Sequence, residues 1–324
     1  MRSKIVKILW ENRGQYISGE SLSEVLGISR AAVWKHIKAL KEDGAVIDSV
    51  SNRGYQLKKM PDLLKGEYIK PFFTEEQKDI SWIWMDEVDS TNNYAKQHAA
   101  ALKDKSIVLC EQQTGGKGRL GRTWITQRGE NISLSILVKP DIQPKNAPAI
   151  TLMTGLAVIL GIQKATGIPA QVKWPNDVVL GKKKLCGILV EMTADMDKID
   201  HLVAGIGINV NRAAFDGELK EKATSLQIEA GKPLSRCQIA AAVIQSFFHL
   251  YEEFLQNGMK NLLEEYTSCS AIVNSQIEIL GLNHEAKGIC RGFTQDGALI
   301  LEGEQGRELI SAGEVSVRGE NTYR

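Results

Sequence analysis

Cysteine is scarce in this chain of 324 residues: Cys110, Cys186, Cys237, Cys269 and Cys290 are odd in number and form no CxxC pair. That argues against a disulfide framework or a structural zinc and fits reduced thiols in a cytoplasmic protein. Among only five His, no Ser/His/Asp or Cys/His set and no His/Cys metal cluster stands out, so a catalytic triad is not expected. Charge of one sign is also lacking. Forty Lys and Arg face 39 Asp and Glu, a net +1, which excludes a uniformly basic nucleic-acid coat. The longest uncharged stretch, Asn146 to Gln163, falls short of the ~20 apolar residues of a bilayer span. The start, with Arg2, Lys4 and Lys7 among its apolar positions, does not read as a signal peptide. No membrane association is expected. A composition of 43% hydrophobic and 24% charged residues is that of a globular protein, and the length predicts two or three domains.

The charge is unevenly spread. Residues 1–60 hold eleven Lys and Arg against six Asp and Glu, a net +5, which leaves −4 for the rest. Within this basic head, Arg2 to Glu11 has a helical period, with Ile5, Ile8 and Leu9 on one face. Ser21-Leu-Ser-Glu24 has the form of a capping box opening a short helix through Leu26. Gly27 supplies a turn, and Ser29 caps a third helix ending near Gly44. Val33, Ile37 and Leu40 face its core and leave Arg30, Ala31, Trp34, Lys35, Lys38 and Lys41 outward. Ala45 to Leu57 reads as a hairpin turning at Ser51-Asn-Arg-Gly54. Together these describe a winged helix-turn-helix in which Ser29, Arg30, Ala31, Trp34, Lys35, Lys38 and the wing-tip Arg53 meet DNA. The rival is a three-helix interaction module with a solvated basic face; capping, turn, charge and wing together favour DNA. Lys58 to Phe73, with Pro61 and Pro71, reads as a linker.

From Ile80 onward strands and helices alternate irregularly. Strands are expected at Trp82–Val88, Ile107–Glu111, Asn131–Val138, Gln171–Trp174, Val178–Leu180, Lys184–Glu191 and Leu202–Val210. Helices are expected from a Ser90 or Thr91 cap to about Leu102, from Pro148 (capped by Asn146) to about Ala165, and over Gln238–Leu255. This order predicts a mixed sheet covered by helices rather than a strict βαβ repeat. Short β-rich runs between Ile272 and Arg318, with glycine turns, predict a small barrel. The fold class is α+β.

Four glycines and three cations crowd Gly115 to Arg122. Glycines let backbone N–H groups approach an anion, and Lys117, Arg119 and Arg122 add charge; a basic surface loop is the equal alternative. A P-loop is rejected, because Arg122 stands where its lysine would be. Gly205-Ile-Gly-Ile-Asn-Val210 is a weak dinucleotide signal inside a strand. Lys173-Trp-Pro-Asn-Asp177 reads equally as a hairpin turn, and Asp89-Ser-Thr-Asn92 as a helix cap.

Taken together, Ser90-Thr-Asn92, Gln113, Gly116-Lys-Gly-Arg-Leu-Gly-Arg122, Lys173-Trp-Pro-Asn-Asp177, Lys184-Leu-Cys-Gly-Ile-Leu189 and Gly205-Ile-Gly-Ile-Asn-Val210 resemble the biotin protein ligases in order and spacing, across nearly the whole chain. The basic head resembles that of the bifunctional ligase/repressor branch. The family loop reads GRGRRGR; Lys117 keeps the first cation and Leu120 loses another. The resemblance implies a winged helix-turn-helix over residues 1–65, a biotin- and ATP-binding catalytic domain over 75–270 and an SH3-like β-barrel over 271–324. It implies that biotin's carboxylate attacks the α-phosphate of ATP, and that biotinyl-5′-AMP then acylates a lysine of the biotin carboxyl carrier protein of acetyl-CoA carboxylase or another biotin-dependent carboxylase. Lys184, Arg119 and Asp177 are then catalytic. Ser90, Thr91, Asn92, Gln113, Lys117, Gly118, Arg119 and Lys184 would bind biotin, and Arg122, Asn176, Asp177 and Asn209 the nucleotide. Asp177 would hold Mg²⁺ or orient the incoming lysine, and Trp124 would wall the pocket or serve as core. Adenylate-coupled homodimerisation on operator DNA would repress biotin genes. The rivals are a biotin sensor that does not ligate and a lipoyl ligase.

Overall fold

The computed structural model describes residues 1–73, 79–196, 198–281, 285–312 and 315–319. It divides into two compact units: Met1–Glu76 with Ser235–Ala241, and Gln77–Leu234 with Ala242–Arg324. The expected domain edges at residues 75 and 324 lie outside the described residues.

In the first unit, α1 (Arg2–Glu11), α2 (Gly19–Leu26) and α3 (Arg30–Glu42) precede a hairpin of β1 (Val46–Val50) and β2 (Gly54–Lys59). Ile5, Leu9, Leu22, Val33, Ile37 and Leu40 form its core, each at most 2% exposed. Ser29 caps α3 as expected, accepting from Ala32 N, and Gly27 ends α2 in the left-handed region at φ 65°. The cap of α2 is Ser18, not Ser21: Ser18 Oγ accepts from Ser21 N at 2.9 Å and starts the helix at Gly19. The expected linker over 58–73 is a packed segment. It carries α4 (Gly66–Ile69), and Leu64, Tyr68 and Ile69 are wholly buried. Asp43, at the end of α3, accepts from Lys65 Nζ at 2.7 Å and from Tyr68 Oη at 2.5 Å, which ties this segment to α3.

The second unit is built on β3 (Ser81–Val88), β4 (Ser106–Gln113), β5 (Asn131–Val138), β6 (Gln171–Lys173), β7 (Asp177–Leu180), β8 (Lys183–Ala194) and β9 (Ile199–Asn209). They form one seven-stranded sheet ordered β3-β4-β5-β9-β8-β7-β6. Only β3 and β4 run parallel; the other pairs are antiparallel, so the sheet is mixed as predicted. α5 (Thr91–Gln97) follows β3 and ends well before the expected Leu102, the chain continuing in single turns from His98. Its Ala95 packs with Val108, Leu137 and Val203 of the sheet. The strand β5 is buried on both faces rather than alternating.

α6 (Ala147–Thr166) begins beside Asn146, whose side chain makes no cap bond. Contrary to expectation its 20 residues reach bilayer-spanning length, but thirteen of them are buried, so it is a core helix of the sheet. A Cβ on Gly161 would meet Val243 backbone at 2.5 Å, which sets how closely α6 approaches its neighbour helix. The short α7 (Leu219–Lys222) and α8 (Leu226–Ala230) precede α9 (Arg236–Asn257) and α10 (Leu263–Ser268). The remaining strands are β10 (Gln276–Gly281), β11 (Glu285–Phe293), β12 (Leu299–Gly303), β13 (Gly306–Ile310) and the unforeseen β14 (Val315–Gly319). They form an antiparallel sheet ordered β13-β12-β11-β10-β14.

Candidate functional site

Strands of the seven-stranded sheet, the start of α5, the glycine-rich loop and strand β14 line a cavity of about 590 Å³. All twelve residues assigned by sequence to biotin, nucleotide or catalysis line it. They form two groups, one neutral and one charged.

The neutral group grows from the first turn of α5. Ser90 caps it, accepting from Asn93 N. Thr91 donates to Gln113 Oε1 through its backbone N (2.9 Å) and its hydroxyl (3.2 Å), which joins the helix start to the end of β4. Ser135 of β5 sits within hydrogen-bond distance of Thr91 Oγ1 and Asn92 Oδ1. Asn92 Nδ2 donates to Leu189 O at 3.1 Å and to Glu191 at 2.8 Å, so Asn92 braces α5 against β8. The glycines of 205–210 answer to packing. A Cβ on Gly205 would sit 2.3 Å from Asn92 Oδ1, and one on Gly207 would sit 2.5 Å from the Trp124 indole.

The charged group centres on Lys184, whose Nζ lies 2.5 Å from Asp177 Oδ1 and 5.8 Å from the Trp124 ring centroid. Asp177 opens β7 and Lys184 lies near the start of β8, so the tight turn between these strands sets the pair. Arg119 donates to Asn176 Oδ1 at 3.2 Å and to Ala312 O. Burial pulls the Arg119 guanidinium below its usual value, while the Asp177 charge pushes it back up. Arg122 reaches Ser316 Oγ at 3.4 Å. Asn176 Nδ2 donates to Ile188 O, and Asn209 Nδ2 to Thr224 O. Trp174, joined to Pro175 by a cis peptide, donates to Gly297 O at 2.9 Å.

The glycine-rich loop folds on itself. Gly118 N donates to Arg122 O at 2.7 Å and Trp124 N to Gly116 O at 2.8 Å. A Cβ on Gly116 would meet Trp124 O at 2.3 Å, which accounts for that glycine. Lys117 Nζ donates to Asn93 Oδ1 at 3.1 Å.

Sequence reasoning did not assign roles to several lining residues. Lys173 is 4% exposed; burial, with Lys184 and Arg122 nearby, lowers its ammonium to about 8 against the opposing pull of Asp177. Arg212 stacks over Phe215 at 4.6 Å in an aperiodic segment after β9. Arg318 lies on the overlooked β14. Among the described lining residues, eight Lys and Arg face a single carboxylate, Asp177. Such a cavity suits a polyanion.

The predicted DNA-facing residues are exposed, those of α3 along one helical face. Arg30, Ala31, Trp34, Lys35 and Lys38 are exposed on α3, with Lys38 Nζ 5.8 Å over the Trp34 ring. Arg53 stacks 4.3 Å over Tyr16 at the hairpin turn.

Residues 84–209 match the model of the Biotin/lipoate A/B protein ligase family, residues 2–56 an HTH domain and residues 272–318 the Biotin protein ligase C terminal domain. The chain is 32% identical to the Bifunctional ligase/repressor BirA of Bacillus subtilis (strain 168), over 98% of both chains. It is also 32% identical to the protein of that name from Escherichia coli (strain K12), over 94% of each. The Biotin protein ligase from Aquifex aeolicus in complex with biotin and ATP superposes with a TM-score of 0.67 at 30% identity, covering 74% of this chain and 99% of that one.

Proposed function

The chain belongs to the biotin/lipoate A/B protein ligase family, and from that membership we propose how its cavity and basic head work. It is an ATP-dependent biotin–protein ligase joined to a DNA-binding repressor head. The acceptor we assign is the biotin carboxyl carrier protein of acetyl-CoA carboxylase. The working division is a head over residues 1–65, a catalytic body over 75–270 and an accessory β-unit over 271–324.

In the first step an oxygen of the biotin carboxylate attacks the α-phosphorus of ATP, and pyrophosphate leaves with the electrons of the broken P–O bond. Two anions must meet, so the step depends on cations that offset their repulsion and the charge gathering on phosphorus. Lys184 and Arg119 supply that charge, and Lys117 and Gly118 fasten the loop over biotin. Ser90, Thr91 and Gln113 face the ureido ring, with Asn92 bracing them. Arg122, Asn176, Asp177 and Asn209 hold the nucleotide. In the second step the neutral amine of the acceptor lysine attacks the carbonyl of the mixed anhydride, and AMP leaves. The attacking group of each step arrives with a substrate, so the enzyme needs no nucleophile of its own.

Asp177, the sole carboxylate among the described lining residues, fits Mg²⁺, which takes one or two protein carboxylates and completes its shell with water and phosphate. When bound, the ion would neutralise phosphate charge. The adenylate orders the glycine loop and a dimer surface together, so ligand occupancy and operator binding are linked. Five free thiols, four of them buried, suit a cytoplasmic setting.

The observation that carries this reading is the cavity's eight cations around one carboxylate, beside a neutral polar wall. Its test is biotin-dependent exchange of labelled pyrophosphate into ATP. Exchange supported equally by lipoate would overturn the substrate assignment.

A further inference from the structure

Ser133 lies on the cavity wall at 2% exposure; its Oγ has no nitrogen or oxygen partner, and its hydroxyl faces the Cys110 sulfur, drawing down a thiol that burial pushes up. On β5 it stands opposite Cys110 of β4 and Gly207 of β9. Cys110 offers only a weakly bonding sulfur, and Gly207 offers no side chain. Ser135, two residues further along the same face, is already engaged with Thr91 and Asn92. A buried hydroxyl whose lone pairs stay unused is poorly satisfied unless a ligand completes it.

The ureido group of biotin carries one carbonyl acceptor and two N–H donors, all of which need partners once buried. Donors abound in this cavity; acceptors are short. Gln113 Oε1 already receives both Thr91 bonds. Asn92 Oδ1 and Thr91 Oγ1 share the Ser135 hydroxyl. Ser90 Oγ receives Asn93 N, and Asp177 is held by Lys184. Ser133 Oγ has lone pairs to give, and its residue pairs with Gly207, two places along β5 from the Ser135 that meets Thr91 and Asn92.

We propose that Ser133 is a specificity-determining residue for biotin, its hydroxyl oxygen accepting a hydrogen bond from a ureido N–H. The proposal rests on the biotin-ligase reading above and adds a ligand contact to it. The contact is made alike in the ground state and the adenylation step, so its loss changes KM for biotin and leaves kcat in place.

The experiment is steady-state pyrophosphate exchange by the full chain and by Ser133→Ala and Ser133→Cys, using biotin and dethiobiotin, which keeps the ureido group and lacks the ring sulfur. Both variants should raise KM for biotin by about tenfold, with kcat and the KM for ATP essentially unchanged. Dethiobiotin should suffer the same factor. The ligand-free melting temperature of Ser133→Ala should hold or rise, since a poorly satisfied buried hydroxyl is removed. An unchanged biotin KM would overturn the proposal. So would a loss confined to biotin, which would assign the hydroxyl to the sulfur, or a fall in ligand-free melting temperature accompanying a loss of kcat, which would make the role structural. Absence of biotin-dependent exchange in the unmodified chain would instead sink the ligase reading, an outcome separate from any difference between variants.

Discussion

Trp124 rests on the bare α-carbon of Gly207, so closely that a methyl group there would come within 2.5 Å of the indole. Gly187 forms the same floor, its would-be Cβ 3.3 Å from the ring. The indole position is therefore set by two missing side chains. Gly207→Ala should push Trp124 into the cavity at an overpacking cost of about 1–3 kcal/mol. Isothermal titration should register biotin affinity at least about tenfold weaker. Unaltered affinity would refute the floor.

Lys184→Gln removes the ammonium nearest Asp177 and leaves that carboxylate without its 2.5 Å partner. Exchange at saturating biotin and ATP should fall by about 10²–10³-fold, the usual scale for losing one preorganised electrostatic group. Circular dichroism should stay native. A drop of only a few fold would remove Lys184 from the reaction's charge stabilisation.

Lys173 has a pKa lowered to about 8 by burial first and by neighbouring cations next. Because the unfolded chain keeps its proton to higher pH, burying Lys173 penalises folding below about pH 8, and the penalty fades as pH climbs toward the ordinary lysine value near 10.4. Denaturation of the parent and of Lys173→Met should therefore show a stability difference in favour of Met at pH 7 that narrows at alkaline pH. A difference independent of pH would contradict the assignment.

Lys35 is exposed on α3, on the face proposed to meet DNA. Lys35→Ala should lower the magnitude of the slope of log affinity against log salt for duplex DNA by about 0.9. Fluorescence anisotropy across a salt series measures it, with the ligase reaction as an unaffected control. An identical slope would take Lys35 off the DNA surface.

Much of the architecture could be read from residue patterns because it depends on local signals. The Val33, Ile37 and Leu40 spacing marks α3, and Gly27 marks its preceding turn. What escaped depends on choices between near-equals or on distant partners. Ser18 and Ser21 both suit an N-cap, and the selected start at Gly19 decides for Ser18. The 58–73 segment looked like a linker because its helix has only four residues, too few for a period, although Tyr68 is fully buried against Asp43 of α3. At the site, residue types were visible while their duties were not. Asn92, expected at the ligand, lines the cavity, but its bonds to Leu189, Glu191 and Ser135 could not be read from its type. Ser133 looked like an ordinary strand residue and Lys173 only like the start of a turn motif, since the three-dimensional pairing of β5, β6 and their neighbours turns them toward the cavity.

Arg119 and Arg122 reach out of the glycine loop to Ala312 and Ser316, more than 190 positions further along the chain. The carboxy-terminal strand thus acts as a moulding edge for the catalytic loop. Trimming the protein shortly before residue 312, or grafting a foreign tail onto β14, would disturb adenylation chemistry even though no reacting group had been deleted.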